Sequence, residues 1–181
     1  MKNTVSAIEN GNVLTFTYEE LLAHHGGAMP GGVALAFRML QWVFDEILQE
    51  IPEKGCCRFY SGLGENGRGI IDTVVNVLGV VPHESLRLDK EYSLDKTGPF
   101  APGGGRYYFE CGCKETLIKL AVKDDAIPEE FFRCSAEMHR KRQAEETITK
   151  EEIDHLQKLR IDLSKTILSA DSNNLFLLLE K

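Results

Sequence analysis

Two runs, Arg106-Tyr107-Tyr108-Phe109-Glu110 and Glu115-Thr116-Leu117-Ile118-Lys119-Leu120-Ala121-Val122, joined by Cys111-Gly112-Cys113-Lys114, decide the fold class. Each run alternates polar and apolar residues, and a glycine lies in the junction, so together they predict an antiparallel hairpin with one face buried. Working outward toward the N-terminus, Glu84 to Asp89 also alternates. Before it, Ile70 to Leu78 reads as a helix closed by Gly79, and Cys57-Arg58-Phe59-Tyr60 reads as a short strand. Earlier still, Val33, Phe37, Leu40, Phe44, Ile47 and Leu48 recur at helical spacing between Pro30 and Pro52. Helix, strand, helix and then three strands, two of them a hairpin, leave room for one βαβ unit only. An order that mixes helices with an antiparallel hairpin is not that of an all-parallel, doubly wound sheet.

The flanks are helical. Thr17-Tyr18-Glu19-Glu20 and Thr149-Lys150-Glu151-Glu152 both fit a capping box, in which a threonine hydroxyl and a glutamate carboxylate satisfy each other's free backbone N–H groups. The first opens a short helix through Leu21 and Leu22 that Gly26-Gly27 stops. The second opens a helix with Ile153, Leu156, Leu163 and Ile167 on one face, and with Glu151, His155, Lys158 and Arg160 on a face expected to be solvated. Between them, Pro128 starts a helix through Phe131, Phe132, Cys134 and Met138 into the basic cluster His139-Arg140-Lys141-Arg142, also expected to face solvent. Pro99 to Gly105, with three consecutive glycines and two prolines, is a loop, mobile or a lid. Leu175 to Leu179 is too short for a membrane and too apolar for water, so it should dock on its own sheet or on a partner. Residues 1–127 thus form the α+β domain and 128–181 a C-terminal helical extension within one structural unit.

With 181 residues, 43% of them hydrophobic, the chain suits one globular domain. Twenty-one Lys and Arg against 28 Asp and Glu give a net charge of −7, which disfavours binding to duplex nucleic acid. No apolar run reaches the roughly 18–20 residues that span a membrane, and no targeting segment is visible, so a cytoplasmic protein is expected. Five cysteines, an odd number, then read as reduced thiols.

Three stretches carry candidate chemistry. Gly62-Leu63-Gly64-Glu65-Asn66-Gly67 is a G-x-G-x-x-G between a strand and a helix, with Asp89 placed as a ribose acceptor. It is a dinucleotide site or a glycine-rich turn, and Glu65 would set a carboxylate beside a diphosphate. In His24-His25-Gly26-Gly27-Ala28-Met29-Pro30-Gly31-Gly32, two imidazoles at the end of one helix meet the free N–H groups of the next. That junction suits an anion or a metal, or else is a helix-to-helix turn. Cys111 and Cys113, expected at the hairpin tip, could offer two thiolates to a soft metal such as zinc, although no second closely spaced pair completes a four-cysteine site. Cys56 and Cys57 are adjacent and point to opposite faces, and Cys134 on an apolar helix face reads as packing. There is no G-x-S-x-G elbow and no P-loop. The candidate ligand-binding set is His24, His25, Gly26, Gly27, Gly64, Asn66 and Gly67. The candidate metal set is His25, Cys111 and Cys113.

Around His25 the sequence resembles the E-subunit family of formylmethanofuran dehydrogenase, whose pattern Phe-His-Gly-His-x-Cys-Pro-Gly leads into a long helix. The matching stretch is His24 to Gly31, followed by Ala34-Leu35-Ala36-Phe37-Arg38. A second block, Asp72 to Val80, is similar to the family's Asp-Ala-Ile-Gln run ending in Thr-Gly-Cys, and Tyr107-Tyr108-Phe109 with the strand through Leu117 forms a looser third. The resemblance implies an α+β domain with a mixed sheet covered by helices and a helical extension after it, a homodimer, and an accessory association with molybdenum- or tungsten-dependent one-carbon redox enzymes. The departures fall on its chemistry. Gly27 stands at the second histidine, Met29 and Gly69 at two cysteines and Val80 at a third, so His25 alone remains of the implied metal set.

Overall fold

The computed structural model describes residues 3–181, and the chain is α+β as expected. Five strands form a mixed sheet: β3 (Cys57–Ser61), β4 (Leu86–Leu88), β5 (Tyr108–Cys113), β6 (Thr116–Val122) and β7 (Phe176–Glu180), in the order β4-β3-β5-β6-β7. Within this sheet β3 and β4 alone run parallel, which makes the segment between them the one βαβ unit among the described residues. The register sets which side chains share a face. Cys57 lies opposite Cys113, Phe59 opposite Cys111, and Phe109 opposite Leu120, so all of these point into the helix layer. Tyr60, Glu110 and Lys119 alternate with them onto the other face.

One element is added at the N-terminus, and the cysteines of the β5–β6 hairpin shift. β1 (Thr4–Glu9) and β2 (Asn12–Thr17) form a separate antiparallel hairpin around Asn10-Gly11, both at positive φ. Asn-Gly between two β-branched runs is the strongest short hairpin signal, so this element adds to the helices and strands expected above. In the β5–β6 hairpin the turn falls at Lys114-Glu115, with Lys114 at φ 52°, so Cys111 and Cys113 sit within β5 and not at the tip. Burial pulls them inward, since they are 1% and 2% exposed.

The helix layer is built on α2 (Pro30–Gln41), which continues as a π-helical segment over Trp42–Leu48. Val33, Ala34, Ala36 and Leu40 are wholly buried, because α2 is wrapped by α1 (Tyr18–His24), α3 (Arg68–Leu78) and α5 (Lys150–Ser169). Both predicted capping boxes are formed, and Gly79 closes α3 at φ 65°. Pro30 occupies the first turn of α2, where its missing N–H costs no hydrogen bond. Arg38 is buried on α2 without a carboxylate partner among the described residues. Its guanidinium donates to Gln41 Oε1 at 2.8 Å, to Ser172 Oγ at 3.1 Å and to the Ala170 carbonyl at 2.8 Å, where the negative end of α5 supplies the compensating charge.

The C-terminal segment completes the same core. α4 (Glu129–Gln143) and α5 are followed by the single turn α6 (Ser172–Leu175) and by β7. Leu175 and Phe176 are buried, and Phe176 stacks on Trp42 with ring centroids 5.5 Å apart. The apolar tail therefore docks on its own sheet, although Leu177, Leu178 and Leu179 remain exposed along the edge. No described helix is long and apolar enough to cross a membrane.

Candidate functional site

His25 is the C-cap of α1, and Gly26 and Gly27, at φ +80° and +78°, turn the chain toward α2. That turn sends the His25 ring inward, where its side chain is 7% exposed, while His24, Gly26 and Gly27 stay at the surface. Nδ1 lies 2.6 Å from Asp72 Oδ2 on α3, a distance at which Nδ1–H donates to the carboxylate. Nε2 is left buried without a partner. A carboxylate that fixes the ring in this way leaves the far nitrogen ready to accept a proton or a ligand. Asp72 stands in a block singled out by resemblance, but no sequence spacing ties it to His25.

The α2 and α3 helices start side by side because two glycines remove the obstacle. A Cβ on Gly32 would lie 3.3 Å from Gly69 Cα, and one on Gly69 would lie 2.9 Å from the Met29 carbonyl oxygen. Neither helix has a side-chain cap at its N-terminus. Their first turns, at Gly31, Gly32, Gly67 and Arg68, open onto a cavity of about 230 Å³. Leu35, Ile70, Met138 and Leu163 are among its apolar walls, and the Ala101-Pro102-Gly103 stretch of the glycine-rich loop closes one side. Asn66 anchors that loop through a hydrogen bond from its Nδ2 to the Gly103 carbonyl at 2.9 Å.

The charges in this cavity are one-sided. Arg68, Arg142 and Arg160 line it, with His139 beside them, and among the described residues no acidic side chain does. Neighbouring Arg140 and Lys141 are neutralised by Glu146 and Glu152, whereas Arg142 and Arg160 have no ion-pair partner among the described residues. Burial, and then the like charge of Arg142, lower the Arg160 pKa from its ordinary value, which is the mark of a cation held without an anion. Both arginines are expected from sequence on solvated faces, and for Arg160 that is corrected. It lies three residues before Leu163 and four after Leu156, so helical spacing alone puts it beside the apolar stripe of α5.

The predicted ligand set is thus divided. Asn66 and Gly67 line the cavity, while His24, His25, Gly26, Gly27 and Gly64 do not. The Gly62–Gly67 turn links a strand to a helix in a βαβ unit, and Gly62 is where the chain packs tightly on itself. A Cβ there would lie 2.7 Å from the Arg106 carbonyl oxygen and 2.7 Å from Ser93 Cβ, and Gly105 packs against the Gly62 carbonyl. Asp89 is bound by Arg87 at 2.7 Å and by the Tyr92 N–H.

The predicted metal set is not brought together. Cys57, Cys111 and Cys113 share the inner face of β3 and β5, remote in topology from the His25 turn, and burial pushes the Cys111 thiol up to about 12. Burial raises Cys57 and Cys113 as well, so each of the three thiols holds its proton more tightly than an exposed one would. Cys134, expected to be packed, is only half-buried. The one group of three His, Cys, Asp or Glu side chains close enough to share an ion, among the described residues, lies on α4 and α5. Compared with known proteins, the chain matches no family model and no curated protein.

Proposed function

We propose that the protein binds a small anionic metabolite with an apolar body in the cavity between the α2 and α3 N-termini and the α4–α5 pair. It does so as a non-catalytic, ligand-binding accessory domain of the E-subunit-like kind, linked to molybdenum- or tungsten-dependent one-carbon redox metabolism. The observation that carries the binding reading is the lining itself, three arginines and a histidine with no acidic residue, in a chain of net charge −7. Two uncapped helix N-termini add their free N–H groups and the positive ends of their dipoles. At about 230 Å³ the cavity is smaller than the ~300–1,000 Å³ of drug-sized sites, so its ligand is of metabolite size.

Thermal melts with a series of straight-chain monocarboxylates and with inorganic phosphate test this. A carboxylate should stabilise the protein, more so with each added methylene, by up to ~0.8 kcal/mol per buried group. Arg160→Gln should remove charge-assisted hydrogen bonds worth ~1.5–3 kcal/mol and weaken binding about 10–100-fold. No stabilisation by any member of the series at millimolar concentration sinks the proposal.

A second reading, proton transfer or metal ligation at His25, is favoured by one observation, the buried and unpartnered Nε2 held in place by Asp72. It predicts that metal content or any activity found is lost in His25→Ala and reduced by about 10–100-fold in Asp72→Asn. Wild-type behaviour in both variants excludes it.

A further inference from the structure

Glu130 and Cys134 stand four residues apart on α4, one helical turn, so both side chains leave the same face. Facing them on α5 is His155, and the Nε2 of His155 lies 3.4 Å from Glu130 Oε1. The ligand atoms of all three residues, a ring nitrogen, a thiol sulfur and a carboxylate oxygen, lie within 4.8 Å of one another. An ion pair would account for the histidine and the glutamate but not for the thiol beside them. As an ion pair it would also stabilise little, because both side chains are about half exposed.

We infer that Glu130, Cys134 and His155 form a site for a zinc-class divalent cation that clamps α4 to α5. The donor set selects the metal. One nitrogen, one thiolate and one carboxylate suit zinc, whereas magnesium and calcium take oxygen ligands. The carboxylate and the thiolate balance the two positive charges. Tetrahedral zinc with bonds of ~2.0–2.3 Å sets its ligand atoms roughly 3.3–3.8 Å apart, so rotamer changes in exposed side chains close the remaining gap. Three protein ligands leave the fourth position open to water. This site is separate from the cavity, and each ligand is followed in the chain by a cavity-lining residue: Phe131, Ser135 and Leu156. An ion across the two helices therefore fixes that wall of the cavity.

Full-length protein made without a polyhistidine tag and stripped with chelator should bind one zinc per chain and melt at a higher temperature when loaded. Cobalt(II) in its place should show thiolate-to-metal charge-transfer absorption that Cys134→Ser abolishes. Cys134→Ser and His155→Ala should each weaken zinc binding by ~100-fold or more, at or beyond what loss of an outer-shell partner costs. Both positions lie on the surface side of α4 and α5, and Glu130→Gln gives a third variant of the same site. Equal zinc affinity in the wild type and in the Cys134→Ser/His155→Ala double variant overturns the inference. So does the absence of zinc binding, or zinc lost in His25→Ala and kept in the double variant.

Discussion

A chain ending at Ile127 is expected to lose cooperative folding altogether. Residues beyond it look like an appendage in sequence, but Leu156, Leu163, Ile167, Leu175 and Phe176 are each no more than 5% exposed. At ~1.5–3 kcal/mol for each fully buried side chain, these five contribute roughly 8–15 kcal/mol. That matches the whole margin of about 5–15 kcal/mol by which a domain of this size is folded. Truncation would also leave Trp42 without its stacking partner and strip the buried Arg38 of its Ala170 and Ser172 acceptors. Far-ultraviolet circular dichroism and a thermal melt of residues 1–127 check this. A sigmoidal melt with native helix content would show that the first 127 residues are a domain in their own right.

How much is legible in the sequence depends on whether the signal is local. Capping boxes, the Gly26-Gly27 stop, Pro30, Gly79 and the alternation around Cys111 are each decided within a few residues, and the structure forms the corresponding elements. The Asn10-Gly11 hairpin is equally local, although its strands are short and half-exposed and lie outside the main sheet. Site geometry is different in kind. His25 and Asp72 are 47 residues apart and meet only because the Gly32–Gly69 contact seats α3 against α2. Arg160 reaches the cavity because α5 crosses α2 at Gly31, whose Cβ would lie 2.9 Å from Leu163 Cδ2. The cysteines depend on register in the same way. Their residue type suggests ligands, yet strand alternation from Cys57, Cys111 and Cys113 places all three on one buried face once the register is known.

Gly69→Ala should destabilise the protein by about 3 kcal/mol and lower its thermal midpoint by roughly 6–12 °C. The added methyl would meet the Met29 carbonyl oxygen at 2.9 Å, the Val33 nitrogen at 3.0 Å and the Gly32 carbonyl carbon at 3.2 Å. All three are backbone atoms of α2 or its cap, so relief requires moving a helix that is buried on every side. Gly67→Ala is the matched control. The atoms nearest its methyl all belong to the Leu63 side chain, the first at 2.9 Å, and a rotamer change should hold the cost to about 1 kcal/mol. The pair separates backbone contact from simple loss of glycine flexibility, because Gly69 lies at ordinary helical φ within α3. The same geometry bears on the implied metal set. A cysteine at 69 carries the same Cβ, so Gly69→Cys together with Met29→Cys cannot rebuild an E-subunit-like ligand set until α2 and α3 move apart. Such movement would open the cavity at Gly32, and ligand affinity should fall together with stability. A Gly69→Ala protein that melts within a degree or two of the wild type would show that the two helices are not locked at this crossing. The shared N-terminal platform of the cavity would then have to be held by α5 alone.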